Sequence, residues 1–422
     1  MDKLVIRGGR TLKGAVQVSG SKNATLPILA ATLLTDELCV LEGVPALRDV
    51  STMIRILRHM GVKVTQEADR VIVEPGGYRG TEAPYRLVST MRASFCVLGP
   101  LVARRKEARV SLPGGCIIGP RPVDLHLKGL RALGTHLRIE GGDVLARARE
   151  LKGTTVYLGG AFGSSVLGTA NVMMAACLAK GTTVIESAAC EPELVDLAEV
   201  LLKMGARIEG HGTPVVRIEG VRRLNGFTHQ VIPDRIEAGT FLLAAAATGS
   251  ELAVTGARPE HLGAVLDKLR EAGVEAHARD GGLQVKPHRK LKPVDVTTLP
   301  YPGFPTDLQA QMMTLMTVTP GISVITEKIY PDRFMHVAEL GRMGAQIKLE
   351  GASAIVLGVK RLMGAPVMAS DLRASAALVL GALAARGKSE VSRIYHLDRG
   401  YDRIDDKLVE LGAEIRRVKE NA

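Results

Sequence analysis

The stretch SLPGGCIIGPRPVDLH, residues 111–126, sets Cys116 between two glycines and a proline-flanked arginine. Such a loop exposes a thiol. Gly114 and Gly115 free the backbone, Pro120 and Pro122 stiffen it around Arg121, and a nearby guanidinium favours the reactive thiolate. The competing reading is that a free cysteine is a small buried hydrophobe. A second chemical phrase is YPGFPTD, residues 301–307, where prolines hold Asp307 as a fixed general base. Cations form a third pattern. Lys22, Arg92, Arg235 and Arg373 stand in the polar phrases SGSKNAT, STMRAS, PDRIEAG and ASDLRAS, each followed by a long apolar run. Ser, Thr and Asp in such phrases are N-caps, but a cation at a helix N-terminus opposes the macrodipole. Their recurrence suits an anion held by backbone N–H groups and guanidinium forks. For one arginine alone a surface salt bridge is the ordinary explanation, which weakens when the position recurs. Asp307 and Asp371 both sit in such phrases, and for both capping competes with chemistry; the rigid setting gives a catalytic role the edge only for Asp307.

The sequence around these groups repeats. A helix-ending phrase returns as RHMGVKV, RALGTHL, LKMGARI, REAGVEA, GRMGAQI and VELGAEI, with its glycine at 61, 134, 205, 273, 344 and 412. Each glycine closes an amphipathic helix such as ELVDLAEVLLKMG, where it supplies the left-handed C′ turn. Upstream in every unit lies a run apolar nearly all round: LPILAATLL, ASFCVLGPLVA, NVMMAACLA, GTFLLAAAAT, QAQMMTLMTVT, ASAALVLGALAA. A helix without a polar face must be buried. Units of strand, buried helix, strand and amphipathic helix make an α/β protein of two domains with three units each, divided near HQVIPDRIEAG. The leading DKLVIRGGRTLKGAVQVSG precedes the first unit and is expected to pair with the second domain.

Composition narrows the function. Five cysteines without CxxC spacing and ten histidines without an HExxH pair argue against a disulfide framework or a protein-held metal, and point to a reducing cytoplasm. The formal charge of +11 invites a nucleic-acid reading, but aromatics are only 3% and Trp is absent, so stacking platforms are lacking and no nucleic-acid partner is expected. Small anionic substrates account for the charge equally well. The apolar runs fall short of the ~20 residues that span a bilayer, and MDKLVIRGG is no signal peptide, so no membrane partner is expected.

The strings SGSKNATLP, TMRAS, GGCIIGPRPVDLH, PDRIEAGTF, PGFPTDLQAQ, RFMHVAEL, DLRASAALVL and RIYHLDRGYDRI, in that order, resemble the enolpyruvyl transferases of peptidoglycan synthesis. The resemblance runs to EIRRVKE. It implies a two-domain inside-out α/β barrel built from six repeated units, three per domain, with buried central helices. Residues 22–232 would form the first domain, carrying a mobile cysteine loop at about 112–122, and residues 1–21 with 233–422 the second, with the active site in the interdomain cleft. The family adds the 3′-hydroxyl of UDP-N-acetylglucosamine to C2 of phosphoenolpyruvate, protonates C3, and eliminates phosphate from a tetrahedral intermediate. No cofactor and no metal is implied.

Carried over by residue, the resemblance assigns Lys22, Arg121 and Arg399 to phosphoenolpyruvate, with Arg92 lining the anionic cleft. Cys116 becomes the loop thiol, a general acid toward C3 or an aid to product release, and the nucleophile alkylated by fosfomycin. Asp307 would take the proton of the sugar hydroxyl, and Asn23 would hold the sugar nucleotide or the intermediate. Pro122, Val123, Asp124, Leu125, Ser165, Val166, Ile329 and Tyr330 fall where the family binds substrate, while Asp371 and Arg373 support the cleft from the second domain. The chain departs from the family in reading SVLGT around Leu167, in Cys190 where arginine is usual, and in Tyr330 where phenylalanine is common. The sister transferase acting on shikimate 3-phosphate lacks the GGC loop. A non-catalytic paralogue that only binds a phosphorylated ligand is disfavoured by the retention of Lys22, Cys116, Asp307 and Arg399.

Overall fold

Six glycines follow six amphipathic helices, and all take the left-handed backbone that a Cβ disfavours. In the computed structural model, which describes residues 2–113, 123–287 and 290–419, Gly61, Gly134, Gly205, Gly273, Gly344 and Gly412 have φ of +92°, +96°, +95°, +83°, +91° and +91°. The helices they end are Arg48–His59, Asp124–Ala132, Pro192–Lys203, Gly263–Glu271, His336–Arg342 and Ile404–Glu410.

The runs without a polar face are buried. Arg235–Thr248 is buried from Ile236 to Ala246, Gln309–Thr317 throughout, and Leu372–Ala384 from Arg373 to Leu383. Lys22–Ala31, Leu98–Arg105 and Val166–Ala176 are their counterparts earlier in the chain. Capping residues start four of them. Ser21 accepts from Ala24 N, Ser165 from Gly168 N, Asp234 from Ile236 N and Glu237 N, and Asp371 from Arg373 N and Ala374 N. The stretch ASFCVLGPLVA departs from a single helix: a 3₁₀ turn, Arg92–Val97, leads into Leu98–Arg105. Pro100 explains the break, because a residue without an N–H fits the first turn of an α-helix and disrupts its interior.

Two units emerge from the contacts. Residues 20–113 and 123–232 form one, and residues 2–19 and 233–419 the other. Each has its own apolar core, one centred on residues such as Ile28, Phe95 and Met174, the other on Phe241, Met312 and Leu378. Within the second unit the three buried helices pack on one another pairwise. The approach is close at Gly239, where an added Cβ would sit 2.4 Å from Leu308 Cδ1. In the first unit, a Cβ on Gly99 would meet the Asn171 carbonyl oxygen at 2.3 Å.

Around these helices lie four-stranded sheets with one shared plan: an edge strand pairs in parallel with a central strand, which continues antiparallel into two more. In the sheet of Glu82–Ala83, Glu107–Ser111, Asp143–Arg147 and His136–Glu140, the register Val110↔Val144 places alternate residues on the buried helices. Each unit draws its edge strand from afar. Phe227–Gln230 runs parallel to Cys39–Glu42, and Lys13–Gln17 to Glu251–Thr255. Asp2–Gly8 lies antiparallel between Gly387–Ser392 and Glu414–Lys419, with Leu4↔Val391 and Ile6↔Ile415 in register. The leading segment thus pairs with strands of the second unit.

Candidate active site

In the unit of residues 2–19 and 233–419, Asp307 sits in a 3₁₀ turn, Thr306–Leu308, ahead of the buried helix Gln309–Thr317. Pro305 occupies the N-cap position and no side-chain cap forms there. The carboxylate is instead held by two arginines. Arg333 Nη1 donates to Oδ1 at 2.9 Å and Arg373 Nη2 donates to Oδ2 at 2.8 Å. Both guanidiniums are buried, Arg373 at 1% exposure and Arg333 at 5%. Burial works to lower the pKa of each, but Asp307 outweighs it, joined by Asp371 at Arg333 and by Tyr401 and Asp234 at Arg373, and both are held above the ordinary arginine value. Arg373 Nε and Nη1 are buried and have no hydrogen-bond partner among the described residues.

A loop organised by Glu327 delivers Arg333. Glu327 is fully buried, and its Oε1 accepts from the main-chain N–H groups of Ile329 at 2.8 Å and Tyr330 at 3.0 Å. Its Oε2 accepts from Thr306 Oγ1 at 2.9 Å, so one carboxylate ties this loop to the residue before Asp307. Arg333 Nη1 also reaches Thr306 Oγ1 at 3.0 Å, and its guanidinium stands 5.8 Å from the Tyr330 ring centroid. Ile329 and Tyr330 are therefore backbone-anchored and half-buried. Asp371 is an N-cap, as the capping alternative required, and contributes its field to Arg333. His336, buried in the next helix, is pushed down to about 4 by burial, with Asp371 opposing and Arg333 reinforcing the shift. Arg399 ends the 3₁₀ segment Ile394–Arg399 and is half-buried.

The other unit carries the remaining described candidates. Lys22 opens the helix Lys22–Ala31 behind the Ser21 cap, with Nζ 3.7 Å from Asp49 Oδ2 and both side chains buried. Asn23 follows it, half-buried. Arg92 opens the 3₁₀ segment Arg92–Val97 and is near enough to His126 to lower its pKa. Val123 is buried at the N-cap of Asp124–Ala132, with Asp124 exposed and Leu125 half-buried in the first turn. Ser165 spends its hydroxyl oxygen on the Gly168 N–H at 3.1 Å, and Val166 and Leu167 start the same helix half-buried. Cys116, Arg121 and Pro122, like most of the 112–122 loop, lie outside the described residues. Among the described residues no group of three or more His, Cys, Asp or Glu is placed to hold a metal ion.

Sequence reasoning passed over Arg333 and Glu327. The signal for Arg333 was present: PDR occurs at 233–235 and again at 331–333. Only the first precedes a long apolar run. That copy sets Arg235 5.5 Å from the Tyr301 ring centroid, while the second sets Arg333 on Asp307. Glu327 had no comparable signal, because its partners are mostly main-chain groups and threonines.

Residues 6–408 match the family model of EPSP synthase (3-phosphoshikimate 1-carboxyvinyltransferase), which sets the class as a carboxyvinyl transferase. The enolpyruvyl transferase NikO from Streptomyces tendae superimposes with a TM-score of 0.90 at 26% identity, covering 100% of this chain and 99% of that one. Relatives named UDP-N-acetylglucosamine 1-carboxyvinyltransferase, from Geobacter metallireducens and Geotalea uraniireducens, are 54% and 55% identical over 420 residues, spanning 100% of each chain. The chain belongs to the UDP-N-acetylglucosamine 1-carboxyvinyltransferase family.

Proposed function

We propose that this protein transfers the enolpyruvyl group of phosphoenolpyruvate to the 3′-hydroxyl of UDP-N-acetylglucosamine and releases phosphate, the first committed step of peptidoglycan synthesis. One structural observation carries the reading. Arg373, almost wholly buried, uses one nitrogen on Asp307 and leaves Nε and Nη1 without an acceptor among the described residues. A buried guanidinium with N–H groups to spare is built for an anionic ligand. Both substrates are anions.

In the proposed mechanism Asp307 removes the proton of the sugar hydroxyl as its oxygen forms a bond to C2 of phosphoenolpyruvate. Arg333 and Arg373 fix the carboxylate by one oxygen each, which aims it at that proton. C3 takes a proton from the Cys116 thiol, giving the tetrahedral intermediate. Loss of a proton from C3 and of phosphate from C2 then restores the double bond in the product. Lys22, Arg121 and Arg399 hold the phosphate and carboxylate charges, Arg92 adds to the same field, and Asn23 binds the sugar nucleotide or intermediate. Pro122, Val123, Asp124, Leu125, Ser165, Val166, Ile329 and Tyr330 contact the nucleotide sugar, with Asp371 and Arg373 supporting the second-domain side. The fold is read as an inside-out α/β barrel of six units, supported by the shared sheet plan and the buried helices. Fosfomycin is read as a covalent inhibitor at Cys116. A cytoplasmic site of action is supported by the free Cys39, Cys96, Cys177 and Cys190.

The test mixes the protein with phosphoenolpyruvate and UDP-N-acetylglucosamine and follows phosphate release, with shikimate 3-phosphate in parallel. Release with the nucleotide sugar alone is expected. Release with shikimate 3-phosphate instead, or with neither, would overturn the assignment.

A further inference from the structure

Gln311 lies one helical turn beyond Asp307, and its Nε2 reaches three oxygens: the Asp307 main-chain carbonyl at 3.0 Å, the Tyr401 hydroxyl at 3.1 Å and Thr240 Oγ1 at 3.2 Å. The direction of each bond follows from proton supply. Thr240 Oγ1 donates its single proton to Ile236 O at 2.8 Å, so across the 3.0 Å between Thr240 and Tyr401 the tyrosine is the donor. The Gln311 amide has two hydrogens: one goes to Asp307 O and the other to the hydroxyl oxygens of Tyr401 and Thr240. The donations diverge from Gln311, to Asp307 O on one side and through Tyr401 and Thr240 to the first turn of the helix Arg235–Thr248 on the other. The side chains of this chain of bonds are buried, Tyr401 at 2%, Thr240 at 1% and Gln311 at 0%. The Tyr401 ring also lies 5.3 Å from the guanidinium of Arg373, the arginine on Asp307 Oδ2.

We infer that Tyr401 is a positioning residue for the catalytic base: through Gln311 it fixes the peptide plane of Asp307, and through its ring it seats Arg373. The inference rests on the reading of Asp307 as the base. The main-chain anchor matters because Asp307 sits in a short 3₁₀ turn, where the carbonyl orientation sets the direction of its Cα–Cβ bond. Two arginines fix the far end of the side chain, and the buried chain fixes its root. A carboxylate held at both ends needs little reorganisation to meet the hydroxyl proton.

Tyr401→Phe deletes the hydroxyl and keeps the ring under Arg373. Turnover is expected to fall ~tenfold, the factor one net hydrogen bond contributes, with KM for both substrates within about twofold of the parent. Gln311→Leu should lose the same factor, and the double variant no more. Thr240→Val tests the chain independently of any folding defect at the tyrosine. The decisive arm is Asp307→Ala, where Tyr401→Phe should leave the residual rate unchanged because no base remains to be aimed. Parent turnover in folded Tyr401→Phe and Thr240→Val, or an equal loss with and without Asp307, would reduce Tyr401 to a core residue. Parent turnover in Asp307→Ala would instead remove the base, and the inference with it.

Discussion

Asn171 Nδ2 lies 2.8 Å from Nδ1 of His126 and donates to it, so the imidazole is neutral with its proton on Nε2. Asn171 also donates to Phe95 O at 2.9 Å and accepts from Gly99 N at 2.8 Å, which joins two buried helices through one amide. Burial, with Arg92 adding to it, pushes His126 down to about 3, and His336 falls to about 4. Both stay neutral where an unfolded histidine, near ~6.5, takes a proton. Their contribution to stability is fully present above that pH and is lost as the pH falls toward the folded values. The slope should reach ~1.4 kcal/mol per pH unit for each group. His126→Asn keeps an acceptor for Asn171, and denaturant titrations between neutral pH and pH ~5 should show a shallower loss than in the parent. An unchanged slope would mean that His126 titrates as an exposed histidine.

Glu237, buried, pairs with the half-buried Lys407 in the second unit, with Nζ 2.6 Å from Oε1, and the other carboxylate oxygen accepts from Ser19 N at 2.7 Å. Burial raises the pKa of Glu237 despite Lys407 beside it. Lys407→Met should therefore cost ~3–5 kcal/mol by leaving a buried carboxylate without its counter-charge, and Glu237→Gln on top of it should recover part of the loss. Chemical unfolding of both variants gives the comparison, and a double variant no more stable than Lys407→Met would count against the pair.

Replacing Asp307 separates chemistry from packing. Asp307→Asn keeps the shape and should lower turnover ~10²–10⁴-fold. Asp307→Ala should also lose stability, on the order of 3–5 kcal/mol, because Arg333 and Arg373 are buried and would face each other without a counter-charge. Turnover and melting temperature measured together distinguish the effects, and parent-like turnover in the asparagine variant would leave Asp307 a purely structural anchor.

Arg399→Lys preserves charge but loses the planar fork. If Arg399 grips phosphoenolpyruvate by a charge-assisted pair, KM for phosphoenolpyruvate should rise by a factor corresponding to ~1.5–3 kcal/mol, with little change for the nucleotide sugar. A lysine variant with the parent KM would show that the fork is not used.

Fosfomycin should label Cys116 alone. Burial pushes the thiols of Cys39, Cys96 and Cys177 up to about 12, and burial together with Glu191 raises that of Cys190, so none supplies thiolate at neutral pH. Peptide mapping after treatment, with and without UDP-N-acetylglucosamine, reads the site directly. Label on a different cysteine would contradict the assigned role of the loop.

Much of this architecture is legible in the sequence wherever a local rule decides it. GTFLLAAAAT has no polar face and must be buried, and the glycine of LKMGARI has to close its helix because a left-handed residue follows the last turn. The capping roles of Ser21, Ser165, Asp234 and Asp371 follow from the same local logic. What escapes is non-local. Nothing in FTHQ says that it runs parallel to CVLE almost two hundred residues earlier, and nothing in DLQAQ says that Gln311 meets Tyr401. Arg333 was missed because its polar phrase opens only the short helix His336–Arg342, so the pattern that drew attention to Arg373 did not extend to it.

The strand Asp2–Gly8 has a further consequence, one of time. Ribosomes deliver it long before both neighbours it needs, Gly387–Ser392 and Glu414–Lys419, which lie far downstream in the chain. At ~5–20 residues per second the wait is on the order of 20–80 s, during which Leu4 and Ile6 have no sheet to join. The unit of residues 20–113 and 123–232 has all its described strands within its own stretch and is free to fold meanwhile. The nascent chain thus carries an unpaired strand with two apolar residues to bury until its far neighbours arrive, and a chaperone that shields early chains would find a substrate in that strand.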